Sequence, residues 1–470
     1  MRFNSVASWL VAGGVLLGAT PALAQSQVDP YYEFLVARHL EGEGDVAGAL
    51  AALERAAAAD PKSAEIRAEI ADLHLRRNER EDAEKAANAA LAIDESNVDA
   101  NRVIGLLDAS AASNEKTAPA DVKTLVDSAI THLERANAGS VGLPDANVNY
   151  TLGRLYMATG APDKASQAFQ RVVNANPGSL QGRLALAQAL AATKNVEGAI
   201  ATLEEVAEDE PRVLGPLAQY YQQAGMPQKA VDAYTKALEE QPNSRDLKAR
   251  RILALYAAKD FSKAEEYAAD AARQHPDDAR FPRLQATALY AEGQKPRAIE
   301  VLEGAVKQFP KDTSAQLALV DMYNNVGRKA DAERTVRQLL TIDPQNADAL
   351  NFLGYMLAER GEKLDEAIRL VNEALQQDPG NGAYLDSLGW AYFRRGDLDD
   401  AEKYISEAAG KLPKNAEIQD HLGDVNAKRG RWQDAISAWT HALENDGEDI
   451  DRAGIEKKIE NAKVKMQNAK

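Results

Sequence analysis

Six histidines are the side chains best suited to act as neutral-pH bases or nitrogen ligands in this 470-residue chain: His39, His74, His132, His275, His421 and His441. No two have the H-E-x-x-H spacing that would set two zinc ligands and a glutamate base on one helix face. Cysteine is absent, which removes thiolate nucleophiles, cysteine zinc sites and disulfides. Neither a phosphate-cradling G-x-x-x-x-G-K-[ST] loop nor a G-x-S-x-G nucleophile elbow occurs. Carboxylates are abundant, 72 in all, but in such number they read as solvated helix faces rather than acid–base pairs. The residue types point away from catalysis, and neither a cofactor nor a metal site is expected.

Charge narrows the partners. With 55 Lys plus Arg against 72 Asp plus Glu, the formal net charge is −17. That balance disfavours nucleic acid and anionic membrane surfaces. One cluster runs against it: Arg245, Lys248, Arg250, Arg251, Arg280 and Arg283. Two readings fit. The aliphatic stems pack while the charges reach solvent or nearby carboxylates, or Arg250, Arg280 and Arg283 form a basic patch for an acidic partner.

The elements that must position these side chains come from a repeat. Alanine recurs at Ala49, Ala83, Ala129, Ala165, Ala199, Ala230, Ala264, Ala298, Ala332, Ala367, Ala401 and Ala435. The commonest interval is that from Ala367 to Ala401, 34 residues, a period that marks a solenoid of stacked helix pairs. In the unit from Gly382 to Asn415, Leu385, Leu388, Gly389 and Tyr392 mark the inner stripe of a first helix. Gly396 closes it, Ala401, Ile405 and Ala408 line a second helix, and Pro413 stops that one. Gly389 and Ala401 fall where the two helices come closest, as do Gly153 with Ala165, Gly354 with Ala367 and Gly423 with Ala435. The turn glycine recurs at Gly44, Gly160, Gly225, Gly293, Gly327, Gly361, Gly396 and Gly430. The expected fold is therefore all-α, a solenoid superhelix of about twelve helix-turn-helix units.

This pattern resembles the tetratricopeptide repeat, with Leu385, Leu388, Gly389, Tyr392, Ala401, Ala408 and Pro413 matching it position by position. The resemblance implies that the first helix of each unit lines a concave groove for proteins or peptides. Carried over, Asp348, Asn351, Tyr355 and Ala358, then Ala383, Asp386, Trp390 and Phe393, should face that groove. Trp390 and Phe393 either grip a partner or pack between adjacent helices. The stretch from Asn351 to Trp439, above all LGY and DSLGWAYFRRG, is similar to a narrower group. That group comprises bacterial envelope repeat proteins, among them the lipoprotein adaptor of a carboxy-terminal processing protease. Its members are anchored through a cysteine that this chain lacks.

The ends and irregular units complete the organisation. Arg2, an apolar run over 6–19 and the Ala22-Leu23-Ala24 pattern predict a signal peptide over 1–24, cleaved near Ala24. Two blocks are expected, 25–210 and 211–449, because the unit from Pro211 is short and carries Pro216. A flexible loop is expected near 109–121, and a capping helix over 450–470 with Ile455, Ile459, Ala462 and Met466 inward and its lysines in solvent. No segment of the mature chain reads as membrane-spanning. The expectation is an exported, periplasmic, non-catalytic scaffold or adaptor that recruits an envelope protease or its substrates. The alternative is a structural scaffold of an envelope or exopolysaccharide assembly complex.

Overall fold

A computed structural model of the chain describes residues 29–139, 144–445 and 450–468. The expected signal sequence lies outside the described residues. The chain divides into two compact units that meet at Ala224–Gly225. The first holds five helix pairs and then Leu214–Gln223; the second opens with Pro227–Glu240, continues through six pairs, and ends with Arg452–Asn468. Among the described residues every regular element is helical, and no helix is long and apolar enough to cross a membrane.

Local chemistry sets the ends of each helix. The first helices open on short polar caps: Ser63, Asn97, Asp145, Ser179, Ser244, Asp312, Asn346, Asn381 and Asn415 each accept from an N–H of the first turn. Such caps satisfy donors that no helical carbonyl can reach. All eight predicted turn glycines adopt the left-handed conformation, with φ between +66° and +97°. Asn78, Lys194 and Lys259 hold the same turn without glycine, at some cost in strain. The proline that ends a unit also leaves a carbonyl to satisfy. Gln316 Nε2 donates to Pro310 O at 2.7 Å and Gln419 Nε2 to Pro413 O at 3.1 Å, which ties each second helix to the next first helix.

The recurring alanines are the core of every pair: all twelve are at most 1% exposed. The helix crossing is tighter than alanine against glycine alone. A Cβ on Gly389 would stand 2.6 Å from Ile405 Cγ1, 2.9 Å from the Ile405 nitrogen and 3.2 Å from the Ala401 carbonyl. On Gly354 it would meet Val371 at 2.5 Å and the Ala367 carbonyl at 3.0 Å. Gly153 lies against Phe169 and Gly423 against the Trp439 indole in the same way. The glycine thus admits both the alanine's backbone and the large side chain one turn further on.

Two expectations change. Residues over 109–121 do not form one long loop: helix runs from Val98 to Ala112 and again from Pro119 to Gly139. The loop is confined to 113–118; alanine-rich sequence before it and apolar residues at Val122, Val126 and Ile130 after it extend the flanking helices, since alanine has the best helix propensity. Lys458 of the terminal helix is not simply solvated; it is half-buried between two carboxylates. Ile455 and Ala462 of that helix are buried against Ala435, Trp439 and Ala442, with Ile459 partly buried beside them, and Lys465 lies 4.7 Å over the Trp432 ring. At the start of the short unit, Pro211–Val213 form one 3-10 turn and Pro216 sits in the first turn of Leu214–Gln223, where an N–H would have no partner within the helix.

Two glycine substitutions should therefore have opposite signs. Gly389→Ala forces a methyl onto backbone and should destabilise by about 1–3 kcal/mol, as overpacking does. Gly304→Ala, mid-helix with nothing within 4 Å of the new methyl, should stabilise by about 0.5–1 kcal/mol. Urea unfolding followed by circular dichroism checks both; equal signs would contradict the crossing geometry.

Candidate functional site

The expected groove residues lie on Ala347–Arg360 and Gly382–Arg395, in the second compact unit. The first of these helices buries Ala349, Leu350, Leu353, Gly354, Met356, Leu357 and Ala358, leaving Asp348 exposed and Tyr355 half-buried. The second is buried on nearly every side, from Tyr384 to Ala391. That burial separates the expected groove residues into different roles.

Trp390 takes the packing role. It is 8% exposed, with His421 stacked on one side at 3.9 Å and Phe393 stacked at 4.9 Å. Its indole N–H donates to Glu359 at 2.5 Å. Ala358, expected in the groove, is fully buried. Asp386 is buried too and is committed to His421, whose Nδ1 lies 2.9 Å and 3.1 Å from its two oxygens. Burial alone would drive the His421 imidazole neutral, but the Asp386 charge and hydrogen bond, with Glu417 and Asp420 adding, push its pKa up to about 9. It is an imidazolium at neutral pH.

Of the expected groove residues Asp348 and Ala383 are exposed and Tyr355 is half-buried; Tyr355 shares its open space with Glu359 and a set from the next first helix, Ala416–Lys428. Glu417, Asp420 and Asp424 join Tyr355, Glu359 and Lys458 around a hollow of about 560 Å³. The Tyr355 hydroxyl donates to Glu417; burial, reinforced by that carboxylate, holds its phenol well above the usual range. Lys458 Nζ donates to Asp420 at 2.8 Å and 3.0 Å and to Asp424 at 2.8 Å. Burial, with Asp420 adding, still pushes the Asp424 carboxyl above the ordinary carboxylate range. A second hollow of about 390 Å³ shares Tyr355, Glu359 and Glu417 and is lined by Phe352 and Met356. Asp348 accepts from the Tyr384 hydroxyl at 2.5 Å. Asn351, one turn before Tyr355, has a buried Oδ1 with no hydrogen-bond partner among the described residues.

Glu417, Asp420 and Asp424 were open to sequence reasoning. They hold the second, fifth and ninth places of their helix, as Asp348, Asn351 and Tyr355 do of theirs. Lys458 and Glu359 were not, because their contacts depend on how neighbouring helices stack.

The basic cluster is internally matched. Arg245 makes two bonds of 2.9 Å to Asp277, and Arg280 pairs with both Asp246 and Asp278 at 2.8 Å. Arg250 hydrogen-bonds the buried Tyr234, and Arg251 lies 3.9 Å over the Tyr267 ring. Arg283 is half-buried on the helix of Arg280. Ion pairs hold Arg245 and Arg280, while Lys248, Arg250 and Arg251 are engaged by Gln274, Tyr234 and the Tyr267 ring, so the six do not form one free patch. Elsewhere, His74, Glu79 and Asp82 bring ligand atoms within 4.8 Å of one another, but Arg77 already engages Glu79 at 2.7 Å.

Tandem helix pairs crossing on small residues, with a groove lined by successive first helices, define an α-solenoid. Tetratricopeptide-repeat profiles match residues 40–107, 146–179, 180–342, 325–382 and 357–425. The chain belongs to the tetratricopeptide-repeat family, whose members generally scaffold protein–protein interactions. Over 121 residues it is 35% identical to a TPR repeat-containing protein of Pseudomonas aeruginosa, a match covering 26% of this chain and 20% of that one. Over 198 residues it is 27% identical to the TPR repeat-containing protein YpiA of Bacillus subtilis, covering 42% and 46%. The chain thus spans less than half the length of these relatives. Among solved structures, yeast Tom70 superposes with a TM-score of 0.46 at 12% identity over 93% of this chain and 96% of that one. A repeat protein of Parabacteroides merdae gives 0.43 at 14% over 54% and 98%.

Three outcomes test this arrangement. Trp390→Ala should cost about 3–5 kcal/mol of stability, the range for a buried indole; a loss under about 1 kcal/mol would return Trp390 to the groove surface. The His421–Asp386 pair stabilises the fold fully below pH 6.5, and that contribution is lost as pH rises through about 9. The gap in unfolding midpoint between wild type and His421→Gln should therefore narrow above pH 9; a gap that widens with pH would contradict the assigned charge. Arg280→Glu, set between Asp246 and Asp278, should lower the melting temperature more than Arg283→Glu does.

Proposed function

We propose that this chain is a non-catalytic adaptor exported to the bacterial cell envelope, where its last three repeats hold a partner protein. The partner class is a processing protease or that protease's substrates. One observation carries this reading. The segments whose wording resembles the envelope adaptor group, LGY ending at Tyr355 and DSLGWAYFRRG from Asp386 to Gly396, also build the groove. Tyr355 lines it, Trp390 with its stacked partners forms the wall, and Asp386 fixes the imidazolium of His421 beneath. The overall acidity and the paired state of the basic cluster support protein partners over nucleic acid.

The full chain, tagged at its C terminus and expressed in its own host, should accumulate in the osmotic-shock fraction with Gln25 as its first residue. A cytosolic chain that keeps Met1 would contradict export. Brief crosslinking in the envelope fraction should capture a processing protease. Capture of envelope or exopolysaccharide assembly proteins without a protease would move the role to a structural scaffold.

A further inference from the structure

The groove is unevenly charged. Around the larger hollow stand Glu359, Glu417, Asp420, Asp424 and Asp451 against Lys414, Lys458 and His421. Glu417, Asp420 and Asp424 rise along one face of one helix at i, i+3 and i+7. Glu359 and Glu417 are exposed; the Trp390 indole donates to one Glu359 oxygen and the Tyr355 hydroxyl to one Glu417 oxygen. Arg394 donates to the Glu359 carbonyl at 2.5 Å and pairs loosely with its carboxylate at 3.8 Å.

A second observation shows what the site accepts. Lys458 reaches in from the terminal helix and sets its ammonium between Asp420 and Asp424, three contacts of 2.8–3.0 Å, with the Trp439 ring 5.9 Å away. The chain thus places one of its own alkylammonium groups at one end of the hollow. At the other end the adjoining hollow offers Phe352 and Met356 beside Glu359 and Glu417. A bare cation would leave those apolar groups unused, whereas a peptide carrying basic and aliphatic side chains would meet both.

We infer that this groove receives a lysine- or arginine-bearing segment of the partner protein, with Lys458 occupying in cis the place that a partner's cation takes at the Asp420–Asp424 end. The inference rests on the adaptor reading for the existence of a partner, and adds its chemistry and an internal competitor. Basic side chains pair with Glu359, Glu417 and, on displacing Lys458, Asp420 and Asp424. Aliphatic ones cover Phe352 and Met356.

Fluorescence anisotropy with the full chain tests it, using a labelled peptide of Ala-Arg-Leu triplets and its Ala-Glu-Leu counterpart. The arginine peptide should bind. Glu417→Gln with Asp420→Asn should weaken binding by about tenfold or more, as loss of interfacial charge pairs does. Removing two exposed carboxylates of the first unit, Glu81→Gln with Glu84→Gln, should change it by less than about twofold if the site is local, since such distant charges are screened. Lys458→Gln should tighten binding by about two- to fivefold, the worth of a half-exposed ion pair. Circular-dichroism melts identify any variant that fails to fold, and Glu359→Gln then supplies the test. Equal loss in both double variants, or preference for the glutamate peptide, would overturn the inference; weaker binding by folded Lys458→Gln would overturn its competitor role. Retention of the crosslinked envelope partner by Glu417→Gln/Asp420→Asn would overturn the groove assignment alone. A wild-type chain that captures no partner would overturn the adaptor reading instead.

Discussion

Every pair of helices in this chain depends on one steric condition: a residue with little or no side chain must sit where the two backbones cross. At Gly389 the neighbouring helix presents the Ile405 nitrogen and the Ala401 carbonyl, groups held in place by their own ladder. A methyl there has nowhere to go. Because each pair buries its surface only against its neighbours, an error at one crossing is not averaged over a large core. The recurring alanine is common to every described pair, and where glycine opposes it the two helices admit backbone contact, whereas Ile252 and Val320 hold the same offset in other pairs.

The same close stacking explains the electrostatics. Successive first helices bring equivalent positions side by side, so acidic residues at those positions accumulate. In the last repeats this gathers Glu417, Asp420 and Asp424 around one hollow, with Asp386 buried against His421 of the same lining. The chain answers with cations fixed where water is scarce. His421 is held protonated by Asp386, and Lys458 is folded back from the terminal helix. The terminal helix therefore does two jobs: Ile455 and Ala462 close the apolar end of the array, and Lys458 offsets charge in the groove.

Much of the fold was legible because a repeat states its rule many times. All eight turn glycines and all twelve alanines have the conformation and burial that their recurrence implies. The candidate site was legible only in part. Tyr355 could be placed from its offset alone, but Trp390 and Asp386 share equivalent offsets and are buried. The difference arises from His421, one repeat later, which covers the indole and binds the carboxylate. Offsets within a helix report which face a residue is on; they do not report what the next helix lays over it. The loop over 109–121 is shorter than expected, confined to 113–118, because the alanines before it and the apolar positions after it extend the flanking helices. For the basic cluster, Asp278 lies two residues from Arg280 and was legible as its partner, whereas Asp277 and Asp246 reach Arg245 and Arg280 only once adjacent repeats lie together.

The central claim is that the first helices of the last three repeats form the partner-binding surface. Hydrogen–deuterium exchange of the full chain, alone and with its crosslink-captured partner, tests it most directly. Protection should concentrate on Ala347–Arg360, Gly382–Arg395 and Ala416–Lys428, with Arg452–Asn468 exchanging faster as Lys458 is displaced. Protection confined to the unit before Ala224, or to the second helices of these repeats, would contradict it.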